Sequence, residues 1–555
     1  MGKIARGFLL AGLSVAYGFA QNVSGERIRA HVKFLASDLL EGRGVGVRGG
    51  ELATEYLAGQ LAIAGAKPAG VNGTWFQPVP LVGVQTQLGA RLRAGELDFN
   101  WLTEFVGTAQ TQLPEQTFGA EGIFVGHGIT APEFGWDDYA GVDVKGKVVV
   151  MFTNEPPSED PKFFGARALT YYGRWTYKYE QALRRGAAAA IILHTTPTAG
   201  YGWEVVRNSW GREDFAVKRD GEALAFAGWL SPEASEKLAG AAGGRSVDGL
   251  LKLADTRGFK AFPLGVKIGG SLQSKIREIG TRNVAGIVHG SDPALTAETV
   301  VYSAHWDHLG ATQNLAGDGI YNGAVDNATG CAMLLEMARA WAEAKVKPRR
   351  SAMFIFMAAE ESGLRGAEYY VSKPLIPLAQ TSLVLNFDSF YPFGRMKDVV
   401  LVGAERTTFW QQIQDVAQRF ELTIAPDPRP EQGSFFRSDH FPFAKAGTPA
   451  FSVNGGSIFL ANTDASAVKL TEYGKRNYHQ PSDEYRDDWD FSNMEYLARF
   501  GMALGQEAAN ADQLVKFVEP ERRGSEPAKS SLTAKAGKKG KAGKGKRSAS
   551  GRTTK

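Results

Sequence analysis

Four stretches decide the fold: VVYSAHWDHLG at 300–310, DGIYNGAVDNATGCAMLLEMARAWAEA at 318–344, RRSAMFIFMAAEESGLRGAEYY at 349–370 and SLVLNFDS at 382–389. Their apolar runs, Val300–Ser303, Met353–Ala358 and Leu383–Phe387, alternate with helical patterns that begin near Ala328 and Leu364. Continuous apolar runs alternating with helices are the mark of buried parallel strands. Polar residues of metal-ligand type follow each run: His305 and Asp307, then Glu360 and Glu361, then Asp388. Ligands of open α/β sheets bind outside the carboxyl ends of the strands. Asp326 opens the helical stretch, where the N-terminal dipole favours a carboxylate aimed at the same crevice.

Outward from this centre, Ile28, Val32, Leu35 and Leu39 recur at helical spacing, as do Leu52, Tyr56, Leu57 and Leu61. EGRGVGVRGG lies between them and reads as a turn, because no strand precedes it and no G-x-x-x-x-G-K-[ST] is present. From Gly119 to about 275 the pattern changes to short β-rich runs with glycine turns and one helix feeding the apolar strand AAAAIILH. The expected organisation is a discontinuous α/β domain, residues 24–118 and 276–520, holding a mixed, largely parallel sheet sandwiched by helices. A β-rich insertion occupies 119–275; its histidines, His127 and His194, are isolated and read as structural.

The ends have their own characters. MGKIARGFLLAGLSVAYGFA pairs early basic residues with a short apolar run and small residues, which reads as a secretory signal peptide cleaved near Ala20. Export to the periplasm or the outside follows as an expectation. Residues 521–555 carry 12 Lys/Arg against two Asp/Glu, so the chain's net +4 conceals a body of −6. Such a tract lacks the apolar content to fold and suits electrostatic adhesion to anionic surfaces; no specific nucleic-acid site is indicated. Cys331 is the only cysteine, which excludes an intrachain disulfide, and its apolar setting reads as core.

His305, Asp326, Glu361, Asp388 and His479 together offer two imidazoles and three carboxylates. This set suits catalytic zinc, with cobalt or manganese as substitutes. Asp326, central in the stretch, is the natural bridge between two ions that jointly activate one water. Asp307 is placed to fix the His305 imidazole, and Glu360, beside a ligand, is where a general base belongs. Singly, a His or Asp after a strand is more often a cap or core residue than a ligand, and two consecutive glutamates at a strand end read also as solvated. The chain has no H-E-x-x-H and no G-x-S-x-G, so helix-borne zinc protease and serine hydrolase readings lose their usual support.

SAHWDHLG, YNGAVDNATG, FMAAEESGLRGAEYY, NFDSF and YHQPSDE resemble, in order, the motifs of the co-catalytic zinc aminopeptidases. That family includes bacterial leucyl aminopeptidases and, more distantly, the glutamate carboxypeptidase II group. GITAPEFGWDDYAGVDVKGKVVV and ALRRGAAAAIILH are similar to a protease-associated (PA) domain. The resemblance implies two zinc ions per chain: one on His305 and Asp388, the other on Glu361 and His479, with Asp326 bridging. It also implies Glu360 as general base, Asp307 orienting His305, and peptides as substrates. RSDHFPFAKAGTPA resembles a pocket-lining segment, so Ser438, Asp439 and His440 are pocket candidates. Trp306 stands where tyrosine is often seen, and the stretch 454–477 is longer than the family pattern. Aminopeptidase chemistry leads; carboxypeptidase, dipeptidase, glutaminyl cyclase and a receptor-like binding protein on the same fold remain alternatives. Oligomeric state is left open.

Overall fold

The computed structural model describes residues 22–518 apart from 161, 313–316 and 462. The expected leader at 1–20 and the basic tail at 521–555 lie outside the described residues. Among the described residues, no helix is long and apolar enough to cross a membrane.

Two helices open the chain, α1 (Gly25–Leu35) and α2 (Arg48–Ile63). Ser24 caps α1 by accepting the Arg27 N–H, and Ile28, Val32 and Leu35 form its buried stripe. The strands that build the sheet follow: β1 (Phe76–Thr86), β2 (Arg91–Ala94), β3 (Phe105–Thr108) and β4 (Glu115–Phe124). Next come β5 (Val148–Met151), helix α3 (Trp175–Arg184), β6 (Ala189–Leu193), β7 (Phe226–Leu230) and the long β8 (Phe262–Val288). The second half holds β9 (Thr299–His305), α4 (Thr329–Glu343), β10 (Ser351–Met357), α5 (Arg365–Ser372), β11 (Thr381–Asn386), β12 (Ala450–Ser452) and α6 (Ser492–Asn510).

The main path of the sheet runs β12-β11-β9-β10-β8-β4-β5-β6-β7-β3. Strands β12, β11, β9 and β10 are mutually parallel, and β8 joins β10 antiparallel. The three apolar runs read from the sequence are thus adjacent strands, with β9 between β11 and β10. Alternate residues of these strands serve opposite faces. Val300, Tyr302 and Ala304 pack into a core with α1, α2, α4 and α6, whereas Val301, Met353 and Ile355 pack with α5 and the short helix His440–Lys445. Helices on both faces explain why these strands carry no polar alternation.

Strand β8 ties the two halves together. Its later residues pair with β1 and β10, its earlier ones with β2 and β4. The expected boundary at 275/276 therefore falls inside one continuous strand. The boundary at 118/119 also differs, because β2 and β3 belong to the second core: β3 pairs with β7, and Leu92, Phe99 and Phe105 pack with Val148, Ile191 and Phe226. Glycine turns mark where a chain reverses but not which sheet receives the next strand, and that pairing is non-local.

Candidate metal centre

His305 ends β9, Glu360 and Glu361 follow β10, and Asp388 follows β11. Three adjacent parallel strands thus deliver their next residues to one rim of the sheet. Asp326 reaches that rim from the irregular turn ahead of α4, with φ −109° and ψ 94°, and so sits outside the helix it was expected to open. His479 arrives from the segment after the helix Thr463–Asn477. Ala359, Ser389 and His479 hold left-handed φ values of 55°, 59° and 56°. Such conformations are uncommon for residues other than glycine and gather at functional sites.

The donors converge. Asp326 presents Oδ1 at 3.2 Å from His305 Nε2 and Oδ2 at 3.3 Å from His479 Nε2. Asp388 Oδ1 is also 3.2 Å from His305 Nε2, and Glu361 Oε2 is 3.0 Å from His479 Nε2. His305, Glu360 and Asp388 form one group able to hold a cation, and His305, Asp326 and Glu361 form a second. Burial opposes protonation of His305, yet Asp388, Glu360 and Asp326 outweigh it and hold the imidazole well above its usual range. His479 is pushed up to about 10 in the same way by Glu361 and Asp326, against its own burial. Burial, with Asp388, Glu361 and Asp439 adding to it, drives the Glu360 carboxyl well up. A buried site that gathers this many carboxylates calls for cations, and the two-nitrogen, three-oxygen donor set fits zinc.

Two expected roles change. The Asp307 carboxylate lies 4.0 Å from His305 Nδ1, and it is the Asp307 backbone carbonyl, at 3.1 Å, that meets this nitrogen. The carboxylate instead accepts the N–H of Glu360 at 3.1 Å and that of Glu361 at 3.4 Å. It is fully buried and pushed up to about 6, chiefly by that burial. Ser438, Asp439 and His440 turn inward instead of lining the cavity, because their segment packs its polar side under the site. Ser438 receives Asn386 Nδ2 and donates to Asp388 Oδ2 at 2.6 Å. Burial pushes the Asp439 carboxyl well up and the His440 imidazole down to about 4. The cavity wall here is made by Phe436, Arg437, Phe441 and Pro442.

Three supporting residues escaped the sequence. His308 Nδ1 lies 2.6 Å from Glu361 Oε1. Asp483 accepts the N–H of Val325 and of Asp326, holding the turn that carries the shared carboxylate. Arg43, fully buried, donates to the carbonyls of Leu35, Trp306, Asn322 and Gly323. His308 and Asp483 lie inside quoted motifs, so their proximity to ligands was a signal; Arg43 lies more than 250 residues from the site and gave none. His127 bonds Asp255 at 2.7 Å and His194 meets the Tyr201 carbonyl, both buried away from this rim.

Residues 283–500 match the model of Peptidase family M28. Leupeptin-inactivating enzyme 1 of Streptomyces exfoliatus is 28% identical over 165 residues, which are 28% of this chain and 35% of that protein. The chain thus spans about a third of the length of the curated relative it matches. Among solved structures, an aminopeptidase from Aneurinibacillus sp. strain AM-1 is 18% identical with a TM-score of 0.49, covering 91% of this chain and 98% of its own. A zinc aminopeptidase from Bacillus subtilis is 17% identical with a TM-score of 0.43, covering 88% and 95%.

Proposed function

We propose, on the premise that residues 283–500 are a peptidase family M28 domain, that this protein is a zinc-dependent exopeptidase. Aminopeptidase action on peptides is the leading form. The observation that carries the reading is Asp326, whose two oxygens address two different imidazoles, each accompanied by one further carboxylate. His305 and Asp388 would hold one zinc ion, Glu361 and His479 a second, and Asp326 both; cobalt or manganese would suit the same donors. Bound there, the ions would polarise the scissile carbonyl and lower the pKa of the attacking water.

The rest belongs to the chain. Glu360, adjacent to a ligand and grouped with His305 and Asp388, takes the proton of the attacking water and returns it to the leaving amine. Asp307 fixes the backbone that presents Glu360 and Glu361, and Ser438 fixes Asp388. The second core, with its PA-like sequence, contributes walls to the cavity beside the site and so restricts which peptides enter. The N-terminal stretch 1–20 supports export of the protein.

Elemental analysis with a panel of aminoacyl substrates tests this. The expected result is zinc in the purified protein, release of N-terminal residues, loss of activity on chelation and recovery with zinc or cobalt. Unchanged turnover after verified metal loss would overturn it.

A further inference from the structure

Beside the site lies a cavity of about 1410 Å³, lined by Glu360, Glu361 and His479 and also by Tyr171, Arg174, Tyr201 and Arg437. Most charged groups on its walls are matched. Glu180 takes Lys445 at 2.6 Å, Glu213 takes Arg277 at 2.6 Å, and Arg365 serves both Glu368 and Asp214. Arg174 and Arg437 are different. Among the described residues neither guanidinium makes an ion pair or a side-chain hydrogen bond, and Arg174 Nε is sealed from solvent with no acceptor.

Their segments abut along this wall: the Tyr171 and Phe436 rings lie 5.8 Å apart, and the Leu169 N–H donates to the Pro430 carbonyl. Burial and the nearby Arg437 push Arg174 down to about 10, and both cations act on the Tyr201 hydroxyl. Arg174 comes from the segment just ahead of α3, in the second core. Arg437 precedes Ser438, which is bonded to the ligand Asp388. A buried N–H without an acceptor is costly, and two like charges side by side add to that cost. One anion between them would remove both penalties. A guanidinium fork matches a carboxylate in shape as well as in charge.

We propose that Arg174 and Arg437 form a carboxylate-binding subsite that selects substrates carrying an anionic group near the scissile bond. The proposal rests on the peptide-hydrolase reading. The carboxylate has two possible sources in a peptide: the C-terminus of a short substrate, or the side chain of an acidic residue. A neutral substrate leaves the pair unmatched, which is how a polar subsite rejects an analogue lacking its partner.

The test uses the zinc-loaded full chain and four matched peptides: a dipeptide acid, its C-terminal amide, and tripeptide amides with Glu or Gln in the middle. The expected result is a preference of at least about tenfold in kcat/KM for one anionic member over its neutral twin, mostly through KM. A preference for the dipeptide acid identifies the C-terminus; a preference for the Glu tripeptide identifies the side chain. In Arg174→Gln and in Arg437→Gln the ratio should fall towards one. Arg437 is exposed, so its variant carries the test alone if Arg174→Gln does not fold. Equal treatment of charged and neutral members by the unsubstituted protein, or a preference retained in Arg437→Gln, overturns the subsite. If no member is cleaved, the peptide-hydrolase reading fails. Calorimetric binding of the acid against the amide then decides the subsite separately, with equal affinities overturning it.

Discussion

The carboxylate of Asp307 receives the backbone N–H of Glu360, so the residue two places after one candidate ligand sets the backbone that presents the proposed base. Its other oxygen receives the Glu361 N–H, and the Asp307 side chain is buried. One acidic side chain thereby couples the ends of β9 and β10.

Asp307→Asn should therefore be more harmful than its size suggests. An amide has one acceptor oxygen for two N–H groups, and its own NH2 would face the other N–H. We expect a loss of roughly 10–100-fold in kcat/KM, together with weaker zinc retention. Steady-state kinetics with metal analysis would check it, and a variant as active as the parent would contradict the assignment.

Glu360 and Glu361 are neighbours with different proposed roles. Glu360→Gln keeps shape and leaves all five proposed ligands in place, so zinc should remain and kcat should fall by about 10²–10⁴-fold. Glu361→Gln weakens a proposed ligand and also the contact with His308, so zinc content should fall along with rate. If the first variant loses zinc and the second keeps it, the two roles are exchanged.

Arg43 spends its charge on four backbone carbonyls, two of them just ahead of the Asp326 turn. Gly323 keeps the Ala328 N–H, but Arg43→Leu strands the other three acceptors, at about 1 kcal/mol or more each, for a loss on the order of 3 kcal/mol. Denaturant unfolding should show it as a lower midpoint with little change in slope. Arg43→Lys should recover part of the loss, since an ammonium can reach some of the same oxygens.

Glu336, on α4, gives a pH-dependent contribution away from the metal centre. Burial would raise its carboxyl, but Arg339 and Arg27 outweigh that and hold it below its usual 4.5. A depressed acid stabilises the fold fully above its unfolded pKa and loses the effect as pH falls through the folded value. Glu336→Gln should cost about 1–2 kcal/mol at neutral pH. The Tm gap to the parent should be widest above about pH 4.5 and close below it. A gap that stays constant from pH 7 to pH 3 would show that the charge contributes nothing.

The sequence by itself determined the elements that local pattern controls. Unbroken apolar runs at 300–303, 353–358 and 383–387 could only be strands buried on both faces, and the residues after them had to emerge at one edge. His305, Glu360, Glu361 and Asp388 were legible for that reason, and His479 through the motif around it. Tertiary structure decided what depends on pairing between distant segments. Whether β2 and β3 joined the first core or the second turned on hydrogen bonds to β7 and β8, well over a hundred residues away. Which oxygen of Asp307 met His305 turned on a loop geometry that spacing does not encode. Arg43 and Arg174 were invisible for the same reason. An arginine is read from sequence as a solvated charge, and only the packed chain shows that one is surrounded by carbonyls and that the Nε of the other has no acceptor among the described residues.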